Sequence, residues 1–344
     1  MSRMLTLAIA AALAAGAATS HAQAPTYKVV KTVPLGAPDR WDYVVFDAPT
    51  HRVYIAHGDR VTVVDGRMGR VLGEVTGIKG GTHGIGIANG KGYTDDGEAG
   101  VAVVFDPMTF KVTGKVTAKE DADGIAVDPV SGHVFVVNGD SKVLTVIDPK
   151  TDKPVATIDG GGGLEYAVAG LGGTLYVNGA EKRELLRIDT KTNAVTARWP
   201  VPNCASPHGL AVDTANHRLF TSCVNNVMTV VNTDTGAEVA SIPIGSGTDA
   251  AAYDPVRKRV FSSNGDGTLT VVAQKDANTY AVIETLKTQV TGKTMGIDPN
   301  SGRLFIAAAD VDPKAPVTPG PNGRPGRPKP LPGTLKLIVL DPAG

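Results

Sequence analysis

The stretch that decides the fold runs from Asp123 to Ile158. It reads Asp123-Gly-Ile-Ala-Val-Asp128, Pro129-Val-Ser-Gly-His133, Val134-Phe-Val-Val-Asn138, Gly139-Asp-Ser141, Val143-Leu-Thr-Val-Ile-Asp148, a turn from Pro149 to Asp152, and Pro154-Val-Ala-Thr-Ile158. Four short runs of apolar and β-branched residues alternate with Gly, Pro, Asn and Asp clusters. The runs read as strands and the clusters as tight turns. The same grammar occurs seven times. A first strand opens near Asp42, His83, Asp123, Glu165, His208, Asp249 and Lys293, at intervals of 40 to 44 residues. Four strands on such a period predict an all-β, seven-bladed β-propeller with four antiparallel strands per blade.

The two ends of the repeat array predict how the ring closes. Six units carry a fourth strand after the turn that follows the third, as in Arg70 to Val75 after Asp65. The seventh unit ends at that turn, in Asp341-Pro-Ala-Gly344. A spare strand, Tyr27 to Val33, lies ahead of the first unit and is expected to complete the C-terminal blade. Such pairing removes two open sheet edges.

Ahead of the array, Arg3 is the sole charge before Lys28, Met4 to Ala18 is apolar, and Ser20-His21-Ala22 forms a small-residue exit. This pattern is that of a cleaved signal peptide over residues 1–22. A cut after Ala24 is the less favoured alternative. The apolar run is short for a bilayer span of about 20 residues. A single propeller domain over residues 23–344, exported to a periplasm with no membrane span left after cleavage, is the expectation. Composition narrows the function. Lys plus Arg number 34 and Asp plus Glu number 34, a balance that argues against coating a nucleic acid or an anionic membrane. Gly at 41 and Pro at 23 fit many tight turns rather than a helical bundle.

The units resemble those of the YVTN β-propeller repeat family, YncE-like exported proteins. The motif stands in degraded form at Tyr54-Ile-Ala-His57, Phe135-Val-Val-Asn138, Tyr176-Val-Asn178 and Phe261-Ser-Ser-Asn264. The likeness extends over residues 26–344, including Asn264 to Val271 and the pair Cys204 and Cys223. It implies a fold but no single activity, because such propellers host enzymes, scaffolds and binding proteins alike. DNA binding occurs among these relatives, and charge balance and export weigh against it here. An electron-transfer role follows from family analogy alone.

The register places seven residues at one mouth of the central channel: Asp42, His83, Asp123, Glu165, His208, Asp249 and Lys293. All are ionisable, and they are the expected ligand-binding ring. Glu165 is the least secure, because Leu164 could take its position. Lys293 lies between Asp249 and Asp42 and would neutralise that side. His83, Asp123, Glu165 and His208, in blades two to five, would then form an N/O ligand set for a divalent metal ion. His83, His208 and Glu165 are the catalytic candidates if the protein is an enzyme. The alternative is a mouth that is simply wet and polar.

Other polar residues read more blandly. Asp95, Asp96 and Glu98, and Glu181, Lys182 and Arg183, fall where loops join the second and third strands, and read as solvated. His51, His133 and His217 fall in turns on the opposite face. Asp65, Asp106, Asp148 and Asp189 read as turn formers. Cys204 and Cys223 sit at strand ends that share a face, and export favours a disulfide between them worth about 3 kcal/mol. A metal-thiolate pair or free thiols are the alternatives. Residues 311–333 form an insertion with eight prolines and the basic residues Lys314, Arg324, Arg327 and Lys329, suited to a lid or docking arm or to a plain excursion.

The leading reading is a monomeric periplasmic binding or scaffold protein for a small ligand, metal or protein partner. The runner-up is a metal-dependent, lactonase-like hydrolase or lyase using the same mouth.

Overall fold

The computed structural model describes residues 26–315, 317, 326 and 328–343. The expected signal peptide, and Arg324 and Arg327 of the insertion, lie outside these residues. Twenty-eight strands, β1 to β28, form seven four-stranded antiparallel sheets, and no helix occurs among the described residues. Six sheets take four consecutive strands each, from β2 to β25. The seventh has the order β1-β28-β27-β26, where β1 is Tyr27–Pro34, β26 Thr294–Ile297, β27 Leu304–Ala308 and β28 Lys336–Pro342. The N-terminal strand therefore closes the ring as expected, with Tyr27 opposite Pro342 and Pro34 opposite Lys336.

Burial follows from blades packing face to face. The second strands are covered on both sides, so β11, Val134–Asn138, is buried at every position. That is why its sequence is a continuous apolar run rather than an alternation. Outer strands lie at the rim and alternate, as in β17, Ala194–Pro200. The core divides into seven hydrophobic clusters, one at each seam between neighbouring blades. At the seam of blades 6 and 7, Tyr27 meets Phe261 edge to face at 5.2 Å between ring centres.

Near the channel the first strands converge, and glycine permits it. A Cβ on Gly84 would lie 2.2 Å from Ile125 N, and one on Gly209 would lie 2.4 Å from Ala251 N. Both glycines directly follow ring histidines. The close backbone approach is what brings the side chains of neighbouring blades together at the mouth.

The turns behave as their residues dictate. Asp65, Asp106 and Asp189 each accept two backbone N–H groups of their own turn, and Asp148 accepts one. His51 and His217 adopt φ of 55° and 58° in turns on the opposite face, where Gly302 has φ of 76°. The insertion in blade 7 is pinned at its return. Asp39 accepts the amides of Gly333, Thr334 and Leu335 at 2.5, 2.8 and 2.9 Å.

Candidate functional site at the channel mouth

Each ring residue sits at the start of a first strand. Asp42 and His83 lie two residues before β2 (Val44–Asp47) and β6 (Ile85–Ala88), and Glu165 two before β14 (Ala167–Ala169). Asp123, His208 and Asp249 occupy the second positions of β10 (Ala122–Val127), β18 (Pro207–Asp213) and β22 (Thr248–Asp254), and Lys293 directly precedes β26. Second strands help fix their backbones. Asn178 donates to His208 O at 2.6 Å, and Ser263 Oγ donates to Lys293 O at 2.7 Å.

Three sets of close contacts stand out within the ring. Asp42, His83 and Asp123 each offer one metal-ligand atom, and these atoms lie within 4.8 Å of one another. His83 Nδ1 is 3.8 Å from Asp123 Oδ1. Glu165 and His208 form a second group, with Oε1 and Nε2 3.7 Å apart. Asp249 and Lys293 form a third, joined by an ion pair. The expected set of His83, Asp123, Glu165 and His208 is therefore not gathered as one. His83 and Asp123 lie with Asp42, whereas Glu165 lies with His208. Asp42 takes the place expected of the far pair.

Burial and like charge shape the protonation of the first group. Burial, with repulsion from Asp249 and Asp95, pushes Asp42 up to about 6 against the pull of Lys293 and His83. Burial and the Asp42 and Glu165 charges push Asp123 up to about 9. For His83 burial acts downward, but the Asp95 hydrogen bond and the Asp95, Asp123 and Asp42 charges outweigh it and raise it to about 9. Burial also raises Glu165. Without a ligand, the mouth relieves its carboxylate repulsion by holding protons.

Two features escaped the sequence reading. Tyr43 and Tyr166 each follow a ring acid, in blades 1 and 4, and meet edge to face across the channel at 4.8 Å between ring centres. Burial and four ring carboxylates hold the Tyr43 hydroxyl well above its usual range. The second feature is Asp95. It was expected in a solvated loop, but β7 spans Lys91–Asp96, and Asp95 and Asp96 are buried. Asp95 accepts from His83 Nδ1 at 3.0 Å. The signal was available in Tyr93-Thr-Asp95, which aligns with Tyr176-Val-Asn178 as a continuing strand.

Cys204 and Cys223 are disulfide-bonded, with Cα atoms 5.2 Å apart. Cys223 pairs with Pro207 across the sheet, so the bond braces the strand that carries His208. His57 caps its strand, with Nδ1 2.8 Å from Thr62 Oγ1 and Nε2 2.7 Å from Pro38 O. A separate concavity of about 740 Å³ lies on the opposite face, between blades 6, 7 and 1. Two of its three arginines are already paired there, Arg303 with Asp341 at 2.6 Å and Arg257 with Asp254 at 3.1 Å. Carboxylates pushed upward by burial lie at the ring, whereas Asp341 in this groove is held down by Arg303.

No helix among the described residues is long and apolar enough to cross a membrane. No protein-family model and no curated protein matches the sequence. Solved structures do. A chain of Kuenenia stuttgartiensis hydrazine synthase is similar at 15% identity and TM-score 0.69, over 78% of this chain and 92% of that one. A chain of a mitotic checkpoint complex is similar at 12% identity and TM-score 0.71, over 98% of each. At these identities the likeness is one of fold alone.

Proposed function

We propose that this chain is an exported, periplasmic binding propeller that takes a small cationic ligand at the channel mouth, a divalent metal ion in the first instance. The observation that carries it is the convergence of Asp42, His83 and Asp123 within 4.8 Å. Two carboxylates and an imidazole are a common N/O donor set for a divalent ion, and a cation would relieve the repulsion that protons relieve without it. The YVTN-like repeats and the N-terminal pattern support export, and in this reading the protein works as a monomer. A crystal structure of protein purified without chelator and soaked in Zn²⁺ tests the site. Anomalous density among these three side chains is expected. Zn²⁺ seen only at surface histidines would overturn the assignment.

The second reading is a metal-assisted hydrolase or lyase of the lactonase kind. It is favoured by Glu165 and His208 on the same mouth. His208 Nδ1–H donates to Ser206 O at 2.9 Å, which leaves Nε2 facing Glu165 and suited to a base. A bound ion would polarise a carbonyl or activate water. Lactone hydrolysis that requires added metal and is lost in His208→Ala would support this reading. Absence of turnover with Zn²⁺, Mn²⁺ and Ca²⁺ would remove it.

A further inference from the structure

The residue behind each ring position comes from the second strand, two places after its aromatic residue. Blades 1, 3 and 7 have Ala56, Val137 and Ala307 there. Blades 4, 5 and 6 have Asn178, Ser222 and Ser263. These three neutral groups bond first-strand backbone: Asn178 to His208 O, Ser222 from Gly209 N at 3.1 Å, and Ser263 to Lys293 O. A neutral or apolar residue therefore suffices for the architecture. Blade 2 alone places a charge there, Asp95, and it is 0% exposed.

A buried carboxylate is costly unless donors surround it. Asp95 has three. The amides of His83 and Gly84 donate at 2.8 and 2.5 Å, and the third donor is His83 Nδ1–H at 3.0 Å. A serine could serve one amide, as Ser222 does. The imidazole bond is what the carboxylate adds.

We propose that Asp95 is a positioning residue for His83: it captures Nδ1–H, fixes the ring's orientation and tautomer, and leaves Nε2 as the ring nitrogen that can ligate. Metal-bound histidines commonly donate their other ring N–H to such a carboxylate, which fixes the tautomer and raises the basicity of the ligating nitrogen. The inference rests on the cation-site reading for its consequence but not for its geometry.

The test substitutes Asp95→Asn, which keeps the shape. Its amide NH₂ can donate to Nδ1, which moves the imidazole hydrogen to Nε2, the wrong tautomer for binding through that atom. Protein labelled with ¹⁵N-histidine, with His83 assigned through His83→Gln, is read by NMR. Wild type is expected to show a His83 Nδ1–H slow to exchange with water, and the Asn variant to lose it. In calorimetry with Zn²⁺, Asp95→Asn should weaken binding by about 10–100-fold. Ser263→Ala, the same position in blade 6, should change it less than about threefold. A wild-type spectrum without the Nδ1–H bond overturns the proposal, and so does a folded Asn variant that binds Zn²⁺ like wild type. If Asp95→Asn does not fold, the wild-type spectrum decides. If wild type binds no Zn²⁺, the cation reading fails, and the Nδ1–H resonance still decides the role of Asp95.

Discussion

His83 and His208 hold the same register position in blades 2 and 5, and both precede a glycine that lets the strands converge. Their settings differ. His83 is tied through Nδ1 to a buried carboxylate and faces Asp42 and Asp123. His208 is tied through Nδ1 to the carbonyl of Ser206, faces Glu165 at 3.7 Å, and has neutral Ser222 behind its strand. Covalent bracing is on the His208 side, and charge is concentrated on the His83 side. The repeat decides where a side chain points. The residue behind it, and the acids beside it, decide what it can do.

The largest effect tests the braced side. Cys204→Ala with Cys223→Ala should cost about 2–5 kcal/mol of stability by denaturant unfolding. Zn²⁺ binding by the folded fraction should persist, because blades 1 to 3 carry the site. Loss of binding in a folded variant would break the contrast between the two sides.

The next effect reads the charged side through pH. Asp42 and Asp123 have raised pKa values when folded, so above about pH 4 the native state holds protons that the unfolded chain has released. His83, raised to about 9, contributes stability that is full below about pH 6.5 and lost as pH rises through 9. All three shifts have one sign. Stability of the ligand-free protein should fall between about pH 6.5 and 9, and Asp123→Asn should flatten the fall and raise Tm at pH 9. Thermal melts at pH 6.5 and 9 check this. A Tm that rises with pH would contradict it.

A smaller effect concerns the tie between blades 4 and 5. Asn178→Ala removes donors from His208 O and Gly209 O and the acceptor of Thr221 Oγ1, and should cost about 1–3 kcal/mol by urea unfolding. A cost below about 0.5 kcal/mol would mean the tie is replaceable by water. The smallest effect is on an exposed loop pair of the same face. Glu181 and Lys142 lie 2.8 Å apart. Glu181→Gln should leave the urea midpoint indistinguishable from wild type and shift Zn²⁺ affinity less than about twofold. A larger shift in affinity would show that diffuse charge on this face, not the ring, attracts the ion.

Much of this architecture was legible in the chain. The repeats announce themselves because turns rich in Gly, Asn and Asp alternate with short strands of apolar and β-branched residues. The role of Tyr27 to Val33 followed from the seventh unit lacking a strand. The ring residues were legible as positions. Their grouping was not, because each group joins blades about 40 residues apart, and no local pattern states which neighbour a side chain chooses. Asp95 was misread because an acid near a turn usually marks solvent. Only the fold shows that the His83 and Gly84 amides converge on it. Tyr43 and Tyr166 left a trace, as aromatic residues directly after ring acids in two blades that face each other.

Calorimetric titration of Zn²⁺ into chelator-treated protein, wild type beside the Asp42→Asn, Asp123→Asn variant, tests the central claim most directly. The account predicts one strong equivalent for wild type and a loss of at least about 100-fold in affinity for the variant, in line with removal of two anionic ligands. Equal binding by both proteins, or no binding by wild type, would contradict it.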